Sequence, residues 1–143
     1  MTIIAWDGFS LAGDRQRTFG GTPSRTRKVH RVAAPNGHEF LVGCAGRSDY
    51  IEAFMAWMRT GEQKPDMDRD AEFHALVIDR RKRIFAIRGT LVYIRVQSRC
   101  WAIGSGCDYA LGAMAAGADA KKAVRIATTL DVHCGGGVDS VEF

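Results

Sequence analysis

The chain has no apolar run approaching the ~20 residues needed to cross a bilayer, so no membrane-spanning helix or membrane partner is expected. Its apolar start, Met1 to Trp6, reaches Asp7 too soon for a signal peptide, and no basic segment precedes it. A cytoplasmic location is the corresponding expectation. The four cysteines, Cys44, Cys100, Cys107 and Cys134, include no C-x-x-C pair, which argues against a zinc site, and in the cytosol they should stay reduced. The four histidines (His30, His38, His74 and His133) are scattered, so neither a metal site nor a cofactor is expected. There is no internal repeat, low-complexity segment or composition break. With 143 residues, 46% of them hydrophobic, the chain can bury the core of one globular domain spanning 1–143.

The net charge is +4. Much of the excess lies in Arg25 to Arg31 and in Arg80-Arg81-Lys82-Arg83. Neither stretch carries the interleaved aromatics that stack on nucleic-acid bases, so no nucleic-acid partner is expected. The second stretch sits between two apolar runs and reads as a solvated hairpin turn.

Short β-prone runs dominate the pattern. Thr2 to Trp6 and Phe9 to Gly13 flank Asp7-Gly8, a strong two-residue hairpin signal. Antiparallel pairing then sets Thr2 and Asp14 at the same end of the hairpin. Arg15 to Arg27 is polar and holds Gly20, Gly21 and Pro23, as a loop or irregular strand would. Strands are expected at Lys28–Ala33 and Glu39–Cys44. A helix follows, with Tyr50, Phe54, Trp57 and Met58 in one core-facing stripe. Four more strands are expected at Phe73–Asp79, Ile84–Arg88, Leu91–Val96 and Arg99–Ile103. Gly104-Ser105-Gly106 turns the chain into a helix, with Ser105 and Asp108 as a capping-box pattern. A last helix presents Ala120, Ala123, Val124, Ala127 and Leu130 on one face, and Val138–Phe143 closes as a strand. Strands, helix, strands, two helices and strand suit an α+β fold of two packed sheets with helices outside both.

Thr2 is the most informative residue. Trimming of Met1 would leave one residue with both a hydroxyl and a free α-amine, a nucleophile with its own general base. An α-amine titrates near pH ~7.7–8.0, and a nearby ammonium lowers that value because like charges disfavour protonation. Lys28 and Asp14 can supply the ammonium and the carboxylate that holds it; taken alone, the two residues favour an ordinary surface ion pair. Gly46, between a strand and a helix, can bring a backbone N–H close to an oxyanion, or can be a plain turn. Ser105 can reach the amine, cap its helix, or both. Asp131 ends the last helix, where the dipole disfavours a carboxylate unless a local group such as an ammonium compensates.

Taken in order, Thr-Ile-Ile-Ala at the start, Ala-Gly-Asp at 12–14, Lys-Val-His-Arg at 28–31, Gly-Cys-Ala-Gly at 43–46, Ile-Gly-Ser-Gly at 103–106 and Asp-Val-His-Cys-Gly-Gly at 131–136 make a pattern. The chain resembles the proteasome β-subunit family, with its HslV-type peptidases and short phage-borne relatives. The resemblance implies a four-layer αββα sandwich and an N-terminal-nucleophile (Ntn) hydrolase. It implies Thr2 as nucleophile and base, Lys28 tuning the amine, Asp14 positioning Lys28 and the Gly46 N–H as oxyanion donor. Ser105 and Asp131 would orient the amine and a proton-relaying water. The family usually has serine where this chain has Cys134, and a thiol is a weaker hydrogen-bond partner. A peptide or unfolded-protein substrate, a homo-oligomeric ring or stacked ring and an ATPase unfoldase partner are implied in the same way. A catalytically silent assembly subunit of the same fold is the alternative. A thiol enzyme using Cys134 beside His133 is a third reading, weakened because adjacent residues rarely face each other.

Overall fold

The first strand shows how the fold is layered, because its side chains alternate between two cores. Ile3 and Ala5 pack against helices, whereas Ile4 and Trp6 pack against a second sheet. All four are buried. The computed structural model describes residues 2–143, with the backbone alone at Phe19.

Eleven strands and three helices are present among the described residues. One antiparallel sheet has the order β10-β1-β2-β11, built from Trp101–Gly104, Ile3–Trp6, Ser10–Asp14 and Val138–Glu142. The second runs β5-β6-β7-β8-β9, from Val29–Ala33, Glu39–Gly46, Phe73–Asp79, Ile84–Ile87 and Ile94–Val96. Helices α2 (Cys107–Ala115) and α3 (Ala120–Leu130) cover the outer face of the first sheet through Ala110, Ala123, Val124 and Ala127. Helix α1 (Ser48–Thr60) covers the outer face of the second through Phe54, Met55 and Met58. Between the sheets lie Ile4, Leu11, Leu41, Leu76 and Ile103. The result is the expected α+β, four-layer αββα sandwich. No helix is long and apolar enough to cross a membrane among the described residues.

Several local expectations are corrected. Of the loop and strand alternatives for Arg15 to Arg27 the strand one holds, but as two strands: Gln16–Phe19 (β3) and Thr22–Arg25 (β4) form a separate two-stranded hairpin across Gly20 and Gly21. The first turn sits one residue later than expected, since Asp7 pairs with Ser10 and holds the N–H groups of Phe9 and Ser10 on its carboxylate. Leu91 to Ile94 contributes only its last residue to a strand. Leu130 is 56% exposed, so the apolar face of α3 ends at Ala127. Ser105 does not cap α2: Gly106 occupies the cap position without a side-chain bond. Asp119 caps α3 as expected, accepting from the Lys122 N–H.

The sheets approach closely because glycines face Ile4. A Cβ at Gly43 would meet Ile4 Cγ2 at 2.5 Å, and one at Gly13 would meet Ile4 Cδ1 at 2.9 Å. Gly43→Ala is therefore expected to destabilise the fold by about 1–3 kcal/mol through overpacking. Urea denaturation should show a lower midpoint with an unchanged slope, and adding Ile4→Val should recover part of the loss. An unaltered midpoint in Gly43→Ala would contradict this packing.

Candidate active site

The register of β1 against β2 pairs Ile4 with Gly13, which sets Thr2 and Asp14 at one end of the hairpin. Lys28 arrives there from the other sheet, one residue before β5. Its Nζ donates to Asp14 Oδ1 at 2.9 Å and to Thr2 Oγ1 at 3.1 Å. The three residues are buried, with exposures of 7% for Thr2, 0% for Asp14 and 9% for Lys28. The Asp14 carboxylate is fully engaged. Oδ1 also accepts from the Ile3 N–H, and Oδ2 accepts from the N–H groups of Gln16 and Gly135. It is a structural ion pair inside the protein, not the surface pair that the sequence also allowed.

A second cluster lies beside the first. Ser105 Oγ donates to Asp131 Oδ2 at 2.6 Å, and Cys134 Sγ lies 3.4 Å from the same oxygen and 3.6 Å from Ser105 Oγ. The His133 N–H donates to Asp131 Oδ1. These donors offset the unfavourable place of Asp131 after α3. The Ser105 hydroxyl, ahead of the opposing effect of burial, holds the Asp131 carboxyl below its ordinary value. The chain then runs from Cys134 to Gly135, whose N–H binds Asp14, so the two clusters share a loop.

Burial pushes the Cys134 thiol up to about 12, with negative Asp14 and Asp131 acting in the same direction and the Ser105 hydroxyl against them. His133 is exposed while Cys134 is buried. A protonated, inward thiol beside an outward imidazole opposes the thiol-enzyme reading.

Gly46 ends β6 where α1 is about to begin, and it is exposed. Its φ is +117°, and a Cβ there would collide with the Glu72 carbonyl. Only glycine fits this backbone approach without strain. Gly104, which pairs with Ile3 in the first sheet, has the same property, with φ +98° and a Cβ position that runs into the Thr2 carbonyl.

Thr2, Lys28 and Gly46 open onto a cleft of about 470 Å³. Thr26 and His30 line it from the β5 segment; Ile51, Met55 and Arg59 line it from α1; Cys44 lines it from β6. The sequence reading did not pick out these residues. The signal was present as parity: Thr26, Lys28 and His30 alternate, and Ile51, Met55 and Arg59 follow i, i+4, i+8. Burial, followed by the charge of Arg59, lowers the His30 pKa, so His30 faces the cleft neutral at pH 7. Ser105, Asp131 and Cys134 stand behind Thr2 instead of lining the cleft. Met1, whose removal the sequence reading requires, lies outside the described residues.

The thiols give a direct check on these surroundings. Cys44 is also pushed up to about 12 by burial. Iodoacetamide at pH ~8 should leave Cys44 and Cys134 unmodified in the native protein, labelling the partly exposed Cys100 and Cys107 first. All four should react after denaturation, as read by peptide mass mapping. Rapid native labelling of Cys134 would contradict its placement.

No protein-family model matches the chain, and no curated protein matches its sequence. Solved structures do match its fold. Eukaryotic HslV from Trypanosoma brucei is 24% identical with a TM-score of 0.70, over 99% of this chain and 99% of that one. BPH from Thiobacillus denitrificans, in complex with epoxomicin, is 20% identical with a TM-score of 0.68, over 100% of this chain and 98% of that one. Anbu, an ancestral β-subunit from Yersinia bercovieri, is 13% identical with a TM-score of 0.72, over 100% and 81%. The chain therefore has the proteasome/HslV-type fold.

Proposed function

We propose that this protein is an N-terminal threonine hydrolase, a proteasome-like peptidase that cleaves amide bonds through an acyl-enzyme on Thr2 once Met1 is removed. The observation that carries this reading is the Lys28 Nζ placed 3.1 Å from Thr2 Oγ1 and 2.9 Å from Asp14 Oδ1 at the wall of an open cleft. The likeness of fold to HslV and BPH agrees with it.

In this reading the freed Thr2 amine takes the proton of Oγ1, directly or through one water. Lys28 keeps that amine neutral at working pH and donates to Oγ1 as charge develops there. Asp14 holds Lys28 by accepting its ammonium. Oγ1 attacks the scissile carbonyl carbon, and the Gly46 N–H, at the entry to α1, receives the oxyanion. Collapse expels the leaving amine, which takes the proton held by the Thr2 amine. Water, activated by the same amine, then cleaves the ester and restores Oγ1–H. Ser105 and Asp131 orient the amine from behind, and Cys134 fills the remaining place in that relay as a weak donor. A cytoplasmic, phage-type homo-oligomer acting on peptide or unfolded protein, fed by an ATPase, is part of the same proposal.

Thr2→Ala should lower peptide hydrolysis at least about a thousandfold, and Lys28→Ala about a hundred- to ten-thousandfold. Epoxomicin should form an adduct mapped by mass spectrometry to Thr2 in the mature chain and to nothing in Thr2→Ala. A mature chain that retains Met1 would end the proposal. For the active enzyme, kcat/KM should rise with pH through an apparent pKa below the ordinary amine value of ~7.7–8.0.

Cys134 favours the second reading, a catalytically silent assembly subunit, because a buried thiol is a poor relay partner. The two separate on one variant. In an active enzyme, Cys134→Ser should raise kcat severalfold with KM nearly unchanged; in a silent subunit, neither wild type nor Cys134→Ser turns over peptide.

A further inference from the structure

The Arg80–Arg83 turn lacks aromatics in sequence, but the fold brings them to it. Lys82 Nζ sits 5.3 Å from the centroid of Phe9, and the Arg80 guanidinium lies 4.9 Å over Phe143. Arg83 approaches Phe85 at 5.9 Å, and Phe85 packs on Tyr93. This turn follows the last residue of β7, whereas the first residue of β7, Phe73, pairs with Gly46 at the cleft. The surface is thus about 20 Å from the candidate active site, at the other end of the sheet.

A groove of about 620 Å³ lies there, between the β5–β6 turn at Gly37-His38 and the β7–β8 turn. Phe40, Phe85 and Tyr93 line it below, and Arg80, Arg81 and Arg83 line it above. Its own carboxylates are already taken. Glu39 is held by Arg31 and Arg80 at 2.6 Å each, which lowers its pKa to about 2, and Asp79 is held by Arg83. Among the described residues, Arg81 and Arg95 form no salt bridge with a carboxylate. Arg95 is the cross-strand neighbour of Phe85, so it shares the groove face.

The groove adjoins an open sheet edge. Strand β9 ends the sheet order, and no strand among the described residues pairs with its outer side. Beside it, Val92, Tyr93 and Ile94 are 57%, 39% and 56% exposed. An edge with exposed apolar side chains is a template for strand addition.

We infer that this edge and groove dock an extended segment of a partner protein in which carboxylate and apolar side chains alternate. The partner's main chain adds to β9. Its carboxylates fall on the groove face, where they meet Arg95 and the Arg81 turn, and its apolar side chains fall on the opposite face beside Ile94, which alternates with Tyr93 and Arg95. Charge complementarity selects an acidic partner. One face of Phe9 and one of Phe143 already carry a cation of this chain, which removes those faces from base stacking. A guanidinium fork matches a carboxylate directly. The chain's own acidic stretch, Glu62 to Glu72, does not serve, because Met67 within it packs under α1.

The test uses the full chain and a fluorescein-labelled peptide of alternating glutamate and valine, followed by fluorescence anisotropy. Saturable binding is expected, weakened at least about tenfold in Arg81→Glu/Arg95→Glu and weakened again as salt rises toward ~0.3 M. A lysine–valine peptide should not bind. A thermal melt of the double variant matching wild type shows that the loss is not unfolding. Absent binding, equal binding to the double variant, or tighter binding of labelled oligo-dT overturns the proposal. So does sedimentation in which the double variant alone dissociates, which would make this face a contact between copies of the chain. No readout depends on peptide hydrolysis.

Discussion

The ammonium of Lys28, buried between Asp14 and the hydroxyl of Thr2, is the contact around which the rest of the molecule is arranged. A lysine inside a protein is costly unless its charge is matched and its protons are placed. Here the match comes from a carboxylate whose two oxygens accept from four donors in four parts of the chain: Ile3 in β1, Gln16 at the start of β3, Lys28 just before β5 and Gly135 in the loop before β11. Removing one partner of such a pair typically costs about 3–5 kcal/mol, since the other is left charged and dry. The pair therefore fastens the two sheets at one corner and fixes what the Thr2 oxygen sees.

Everything near that corner follows from close backbone approach. Gly13 and Gly43 let the sheets meet around Ile4, Gly104 makes room for the Thr2 carbonyl, and Gly46 makes room for Glu72. A larger residue at any of these would push the lysine and threonine apart. The same economy explains why solved structures at 13–24% identity share the fold, with TM-scores near 0.7. Layer packing tolerates many apolar sequences, whereas chemistry has to be argued from particular residues.

The two ends of the five-stranded sheet have different characters. At one end the backbone is glycine-lined and opens on a cleft with buried charge. At the other, cations lie over aromatic rings along an unpaired strand. Helix α1 explains the separation, because it covers the middle of the sheet face through Phe54, Met55 and Met58 and leaves both ends open.

Much of the fold was legible from residue order. Period-two and period-3.6 patterns marked the principal strands and all three helices, and the first hairpin alone placed Thr2 beside Asp14, since antiparallel pairing leaves no other arrangement. Of the candidate residues, Thr2, Lys28 and Gly46 line the cleft and Asp14 holds Lys28 from within, while Ser105, Asp131 and Cys134 converge behind it. The β3–β4 hairpin was not legible, because its residues are polar and alternate against no core. Of the two readings of Ser105 only the helix cap fell, for a related reason: a short-range capping pattern competes with a partner 26 positions away, and only tertiary contact decides between them. Local pattern, then, settled which segments are strands and helices and which residues stood out as candidates for chemistry. Packing of the two sheets alone settled that the lysine is buried, that the cleft has walls, and that the basic turn gains Phe9 and Phe143, because those distances join residues far apart in the chain.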